Sequence, residues 1–457
     1  MTERVKSTRC VPDIAGVVVG PSNVTTFLRV LSASCGYGEQ VRPSKTSPVQ
    51  LARTVMARAA VLTVAVPMAV ATGLVIADAI RKRRVTDPSR FPRSAPAEGR
   101  IGETETTIFT YGDDLYREML AAIRGARRRI MLETYIWKGD ELGQEFKDAL
   151  IEASARGVEV FVIYDGFANL VVPREFLTFP SPIHVIRYPV FRPGVLVLNV
   201  RKSGRDHRKI LVVDDEIGFV GGYNIGSMYA TQWRDTHIRL DGPSAWELRN
   251  AFVDFWNSNR KPHQPPLEDP GSRLWLPELR AARNAPAHLV FPIRGIYLDA
   301  IDRASDHIYI TQAYFIPDRE ILDALLMAAQ RGVDVRVLVP ERSNHVVADW
   351  LSRGLYTTLL RGGVTIWLYK DAMVHAKTAT IDGRWTTIGT ANIDRLSLTG
   401  NYEVNLEIVD AGIAGQMEKV FDVDLSNCRE LTLTEWSSRS IAAKLGEVAL
   451  TPLRPLL

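Results

Sequence analysis

The chain has 457 residues, 46% hydrophobic and 24% charged, the profile of a globular protein long enough for two domains or a duplicated pair. Its three cysteines, Cys10, Cys35 and Cys428, show no paired spacing, which argues against a disulfide framework or a zinc site and fits a reducing compartment. The net charge of +4 is uneven: residues 1–100 hold 15 basic and 6 acidic residues, leaving 41 basic against 46 acidic beyond them. A nucleic-acid enzyme carries its positive field on the catalytic body, so no nucleic-acid partner is expected.

Residues 1–58 lack sustained periodicity, and Met56 followed by Arg58 and an apolar run reads as a possible true start. From Ala59 to Ala77 run 19 residues without a charge; as a helix they span roughly 28 Å, close to a bilayer core. A transmembrane helix over 59–80 is expected, with a buried helix of a soluble domain as the competing reading. Arg81-Lys82-Arg83-Arg84, Arg90 and Arg93 follow, so the positive-inside rule places the C-terminal body on the cytoplasmic side of the cell membrane, single-pass, behind a basic juxtamembrane linker over 81–100.

The body alternates helix and strand. Residues 115–127 read as helix, Arg129–Trp137 as strand, Glu141–Arg156 as amphipathic helix and Val158–Tyr164 as buried strand. The second half repeats this as strand His307–Ile316, helix Arg319–Arg331 and strand Val333–Val339, and both halves place Arg-Gly-Val at the helix-to-strand joint. Such alternation predicts an α/β protein of two pseudo-symmetric halves, 101–262 and 286–457, each a mixed, mainly parallel sheet flanked by helices. The proline-rich stretch 263–285 reads as linker. A C-terminal helix carries Ile441, Leu445, Val448 and Ala449 at helical spacing; packing against the body is the expected role, membrane-surface contact the alternative.

Each half contains His-x-Lys-x-x-x-x-Asp: His207, Lys209 and Asp214, then His375, Lys377 and Asp382, all displaced by 168 residues. The same displacement carries Gly221 onto Gly389, Asn224 onto Asn392 and Asp235 onto Glu403. One site built from two halves is the reading. On a strand, residues i and i+2 share a face, so each His stands beside its Lys. The six motif residues form the candidate catalytic set, although Asp214 and Asp382 fall off that parity, at turn signals, and read as structural members.

Two His, two Lys and two Asn make a cluster of donors and cations without a carboxylate pair to hold a metal, which suits a phosphate and needs no cofactor. One neutral imidazole can attack phosphorus while the other, protonated, donates to the leaving oxygen. Lysines and asparagines would meet the non-bridging oxygens. Asp235 and Glu403, each 28 residues beyond a His, are placed to accept from imidazole and fix its tautomer. His237, His345 and Asp349 read as ordinary polar positions.

At these residues the sequence resembles the phospholipase D superfamily, whose signature is the paired HKD motif, from about residue 100 onward. HRKILVVDDEIGFVGGYNIG, WRDTHIRLDGP, QAYFIPD and HAKTATIDGRWTTIGTANIDRLSLTGNYEVNLEI look most like bacterial cardiolipin synthases. The resemblance implies metal-independent phosphatidyl transfer, His207 as nucleophile, His375 as general acid and then base, and anionic phospholipids such as phosphatidylglycerol as partners, with release of glycerol. Many members have two N-terminal spans where one is readable here. A lipid hydrolase or a nuclease of the same fold is the alternative, and a non-enzymatic membrane scaffold ranks last.

Overall fold

The computed structural model describes residues 64–82, 90–192 and 203–456, apart from 270, 273 and 274, together with positions 53, 56 and 194. The expected features of residues 1–58, the first part of the apolar run and Arg83-Arg84 thus lie outside the described residues, save Arg53 and Met56.

In the first half α1 (Val66–Lys82) is followed by β1 (Ala97–Ile101), β2 (Thr104–Phe109), α2 (Gly112–Gly125), β3 (Arg129–Thr134), α3 (Glu141–Ala155), β4 (Glu159–Asp165) and β5 (Ile183–Tyr188). Then come β6 (Ile210–Val213), β7 (Ile217–Gly221), α4 (Ser227–Thr231), β8 (Trp233–Arg234), β9 (His237–Asp241) and α5 (Ala245–Asn259). The second half contains β10 (Leu279–Asn284), α6 (Pro292–Arg303), β11 (His307–Gln312), α7 (Arg319–Gln330), β12 (Asp334–Pro340), α8 (Val346–Arg361) and β13 (Thr365–Tyr369). It continues through β14 (Met373–Val374), β15 (Lys377–Ile381), β16 (Trp385–Gly389), α9 (Arg395–Thr399), β17 (Glu403–Val409), α10 (Ala411–Ser426), β18 (Cys428–Glu430), α11 (Leu433–Ser437) and α12 (Ile441–Leu450).

The local chemistry of the repeat is the same twice. Asp140 caps α3 by accepting from Gly143 N at 3.0 Å, and Asp318 caps α7 by accepting from Ile321 N at 3.0 Å, which satisfies donors the first helical turn leaves open. Both helices stop at a glycine in the left-handed region, Gly157 at φ +91° and Gly332 at φ +93°, where a side chain would be strained.

The two eight-stranded sheets run β1-β2-β9-β7-β6-β3-β4-β5 and β10-β17-β16-β15-β11-β12-β13-β18. Seven strands correspond in order, and each sheet adds one edge strand of its own. The sheets are mixed, but they are not mainly parallel as the alternation suggested. Only β3–β4, β4–β5, β11–β12 and β12–β13 are parallel; the other pairs are antiparallel. Long crossover connections yield parallel neighbours, three of the four through a helix, whereas the motif strands return through tight turns at Asp214-Asp215 and Asp382-Gly383, which join antiparallel strands. The proline-rich linker range also contains β10, paired with β17 over Leu279–Asn284.

Between the sheets lies a core drawn from both halves, in which Val212, Val220, Ile238 and Leu240 meet Ile388, Val404, Leu406 and Ile408 beneath Trp256 and Phe252 of α5. This shared apolar layer makes the halves one unit; burying each such side chain contributes about 1.5–3 kcal/mol.

The expected membrane span over 59–80 falls partly outside the described residues. Among the described residues no helix is long and apolar enough to cross a membrane. As described, helix α1 has 17 residues, includes Asp78, Arg81 and Lys82 and covers roughly 26 Å. Its Ala71 packs with Leu351, Leu450 and Leu453 of the body. The C-terminal helix departs from expectation, because Ile441, Leu445 and Val448 face outward while Glu447 and Leu450 face the body.

Candidate active site

The two halves meet through backbone pairing that sets the site. A two-stranded parallel sheet joins β14 to β8, with Val374 opposite Arg234, and an isolated parallel bridge joins Asp206 to Tyr402. His375 N donates to Arg234 O at 2.6 Å and His207 N donates to Tyr402 O at 3.0 Å. Each accepting carbonyl belongs to the residue just before the acidic position of the opposite half. The acid therefore lands beside the imidazole: His375 Nδ1 is 2.6 Å from Asp235 Oδ2, and His207 Nδ1 is 3.0 Å from Glu403 Oε2. The pairing is crossed, so neither half holds its own histidine.

This also corrects the placement of the motif on strands. His207 and Lys209 precede β6, and His375 precedes β15, which Lys377 opens. The histidine backbones bond to the other half instead of to their own sheets.

Glycine at the end of β7 permits the approach of the acid. A Cβ on Gly222 would collide with the Asp235 carboxylate, and one on Gly389 would collide with Asn405. Close backbone approach is the use expected of glycine there.

Both histidines line one cavity of about 760 Å³ together with Tyr135, Asn224, Trp233, Tyr314, His345, Asn392 and Asp394; Phe167, Met228, Ile316, Val347 and Leu396 form its apolar wall. The Tyr135 ring meets His207 edge-on at 4.6 Å between centroids, and Trp233 lies 4.9 Å from His375. The lysines are buried beneath. Lys209 Nζ donates to His207 O at 2.6 Å, while Lys377 Nζ lies 2.7 Å from His375 Nδ1 and 4.0 Å from Asp235 Oδ2. Asn224 Oδ1 accepts from Ile136 N at 3.1 Å, which leaves its amide N–H for a ligand. Asn392 is buried with no partner on Oδ1 among the described residues.

Burial dominates the electrostatics. It pulls Lys209 down to about 7 and Lys377 to about 8, lowers His375 to about 3 and holds His207 well below its ordinary value. The acids diverge. Burial raises Asp235, but Lys377 and His375 outweigh it and hold the carboxyl below the usual range. Burial pushes Glu403 up to about 8 despite Lys209, and Thr390 Oγ1 donates to its Oε2 at 2.6 Å. Opposed environments of this kind separate the roles of paired titratable groups.

Asp214 and Asp382, included in the candidate catalytic set, are outside the cavity. Asp214 accepts from the backbone N–H groups of Arg127, Arg128 and Arg129 at 2.9, 2.7 and 2.9 Å. Asp382 does the same for Ser305, Asp306 and His307 at 2.8, 2.9 and 2.9 Å. They fasten the loops entering β3 and β11. His237 is buried beside the site without lining it, and Asp349 pairs with Arg353 at 3.1 Å. Sequence reasoning missed Tyr135, Trp233, Tyr314, Asp394 and the cavity position of His345. The tyrosines carried a readable signal, since each follows the strand that starts its half's repeat.

The family model described as "Cardiolipin synthase, PLD-like domain" matches residues 119–256 and 297–425. The chain is 32% identical over 375 residues to the major cardiolipin synthase ClsA of Bacillus subtilis, covering 78% of this chain and 76% of that one. It is 33% identical over 373 residues to cardiolipin synthase 1 of Bacillus anthracis, covering 78% and 73%. Among solved structures, phosphatidylserine synthase of Haemophilus influenzae shares the fold, with a TM-score of 0.60 at 16% identity over 77% of this chain and 93% of that chain. Two crossed imidazole–carboxylate pairs over buried lysines thus sit where the family model matches, and the chain belongs to the cardiolipin synthase family of the phospholipase D superfamily, as an enzyme of its phosphatidyltransferase type.

Proposed function

We propose that the enzyme transfers a phosphatidyl group from one phosphatidylglycerol to the hydroxyl of a second, forming cardiolipin and releasing glycerol through a phosphohistidine. His207 Nε2 attacks phosphorus; the bond to the glycerol oxygen breaks, and His375 supplies the proton that oxygen takes up. His375 then accepts the proton of the incoming lipid hydroxyl, whose oxygen attacks phosphorus and frees His207. Burial by itself leaves the His375 imidazole neutral; the ionised Asp235 together with the negative charge of an incoming phosphodiester favours the protonated state that the first step requires. Lys209, Lys377, Asn224 and Asn392 stabilise charge on the non-bridging oxygens, so turnover needs no divalent ion.

The observation that carries the reading is the single cavity with both imidazoles at its polar floor and an apolar wall beside them, a shape for a phosphodiester with hydrocarbon attached. Thin-layer analysis of phosphatidylglycerol incubated with the protein tests it: cardiolipin plus glycerol is expected, and phosphatidic acid alone would make water the acceptor. Chelator should leave turnover on dispersed substrate intact. Efficient DNA cleavage with no lipid turnover would replace the lipid reading by a nuclease. Placement against the cytoplasmic leaflet of the cell membrane belongs to the same proposal.

A further inference from the structure

Helix α8 has a concavity at each end. Its first residues, Val347 and Ala348, line the catalytic cavity, whereas Gly354, Thr357 and Arg361 line a groove of about 400 Å³ bounded opposite by Arg439, Lys444 and Arg454. Along the helix, Val347 and Arg361 lie roughly 21 Å apart. The groove is a separate site.

Four cations meet one carboxylate there, and that carboxylate is occupied. Glu447 accepts from Arg439 Nε at 2.9 Å and from Arg439 Nη2 at 2.7 Å. Lys444 Nζ donates to Ser437 O at 2.8 Å. Arg454 Nε is buried with no partner among the described residues, and a Cβ on Gly354 would fall on its guanidinium, so glycine makes the room. Among the described residues Arg361, Lys444 and Arg454 form no salt bridge to a carboxylate, although Arg454 lies within the field of Glu447.

Beside the groove, α12 turns Ile441, Leu445 and Val448 outward, 76%, 64% and 69% exposed; at i, i+4 and i+7 they form one stripe. Val448 also lines the groove. Helix α1 packs along α12 and α8 and exposes Met68, Val75, Ile76 and Ile80. Cations bordered by aliphatic side chains on neighbouring helices match a phosphate beside hydrocarbon, as at a bilayer surface.

We propose that the groove between α8 and α12 binds the headgroup phosphate of an anionic phospholipid, with the α12 and α1 stripes resting in the same leaflet, as a lipid site distinct from the catalytic cavity. This rests on the phospholipid reading above. Free phosphate would use the cations but leave the aliphatic stripe without a role. Symmetric pairing of two copies through this face would bring like-charged grooves together.

The test is sedimentation of the full chain with phosphatidylcholine vesicles, with and without phosphatidylglycerol, at matched ionic strength. Combining Arg361→Ala, Lys444→Ala and Arg454→Ala should weaken binding to the anionic vesicles about fivefold per charge and spare the weak binding to phosphatidylcholine. Leu445→Ser with Val448→Ser should weaken both. Thr357→Glu, which keeps every cation and adds a carboxylate to the groove wall, should reproduce the anionic defect, so one unstable variant does not decide the matter. Turnover of monomeric short-chain phosphatidylglycerol reports independently on folding and the catalytic cavity. Undiminished anionic binding by the folded triple variant overturns the site, as does release of the wild type by millimolar inorganic phosphate at constant ionic strength. Should wild type fail to turn over short-chain lipid while the binding difference persists, the groove stands and the transferase reading falls.

Discussion

The two halves share seven strands in the same order and contribute one imidazole each, yet they differ at the acid and in one connection. Asp235, given by the first half, is held below the usual carboxylate range beside His375, whereas Glu403, given by the second, is pushed up to about 8 beside His207. Between β4 and β5 no helix intervenes, while β12 and β13 are joined by α8, the support for α1 and α12. A duplicated fold has thus been made chemically unequal at its centre and given, on one side, a helix against which α1 and α12 pack. Symmetry supplies the geometry; burial and one added helix supply the differences between the halves.

The largest test of that inequality is at the histidines. His207→Ala and His375→Ala should each lower turnover by about 10⁴-fold or more, losing a nucleophile or a general acid. A trapped phosphatidyl adduct is expected on His207, and mapping it to His375 by mass spectrometry would reverse the assignment.

Asp235→Asn comes next, with an expected loss of about 10²–10³-fold in kcat, since the ionised partner of the proton donor is removed. Loss should appear at every pH from 6 to 9, because the wild-type carboxyl is already ionised throughout that range.

Loop anchoring should instead be equal in the two halves. Asp214→Ala and Asp382→Ala each remove three backbone hydrogen bonds and leave alanine at φ 54° and φ 52°; after allowance for exposure, about 1–3 kcal/mol of stability should be lost. Both carboxyls sit below their ordinary value, burial being outweighed by the backbone N–H groups. Their contribution is present above the unfolded value of about 3.9 and disappears as pH falls through the lower folded one. Denaturant titrations at pH 7 and in acid should show the variant-to-wild-type gap closing.

Glu403→Gln is the smallest expected effect and the most informative. Below about 8 the buried acid carries a proton, so glutamine resembles it and kcat at pH 6.5 should fall only a few-fold. Above that value the wild type becomes ionised and the amide cannot, so the loss should grow to about tenfold at pH 9. A flat, Asp235-like loss across pH would show that the two acids work alike.

The sequence by itself determined the duplication, the membership of the His-Lys-Asn cluster and most of the helix and strand positions, because capping aspartates, glycine stops and apolar periodicity act within a few residues. It also marked Asp214 and Asp382 as structural, by parity and by the turn signals beside them. Only the tertiary structure decided that Asp235 serves His375 and Glu403 serves His207, since each contact spans 140 or 196 residues and depends on which carbonyl the opposite half offers. Strand direction likewise follows from how the motif hairpins close against the crossover strands, and no local pattern encodes that. The outward face of α12 was legible as a stripe but not as exposed: helical spacing fixes which residues share a face, and only packing against α8 and α1 decides where that face looks.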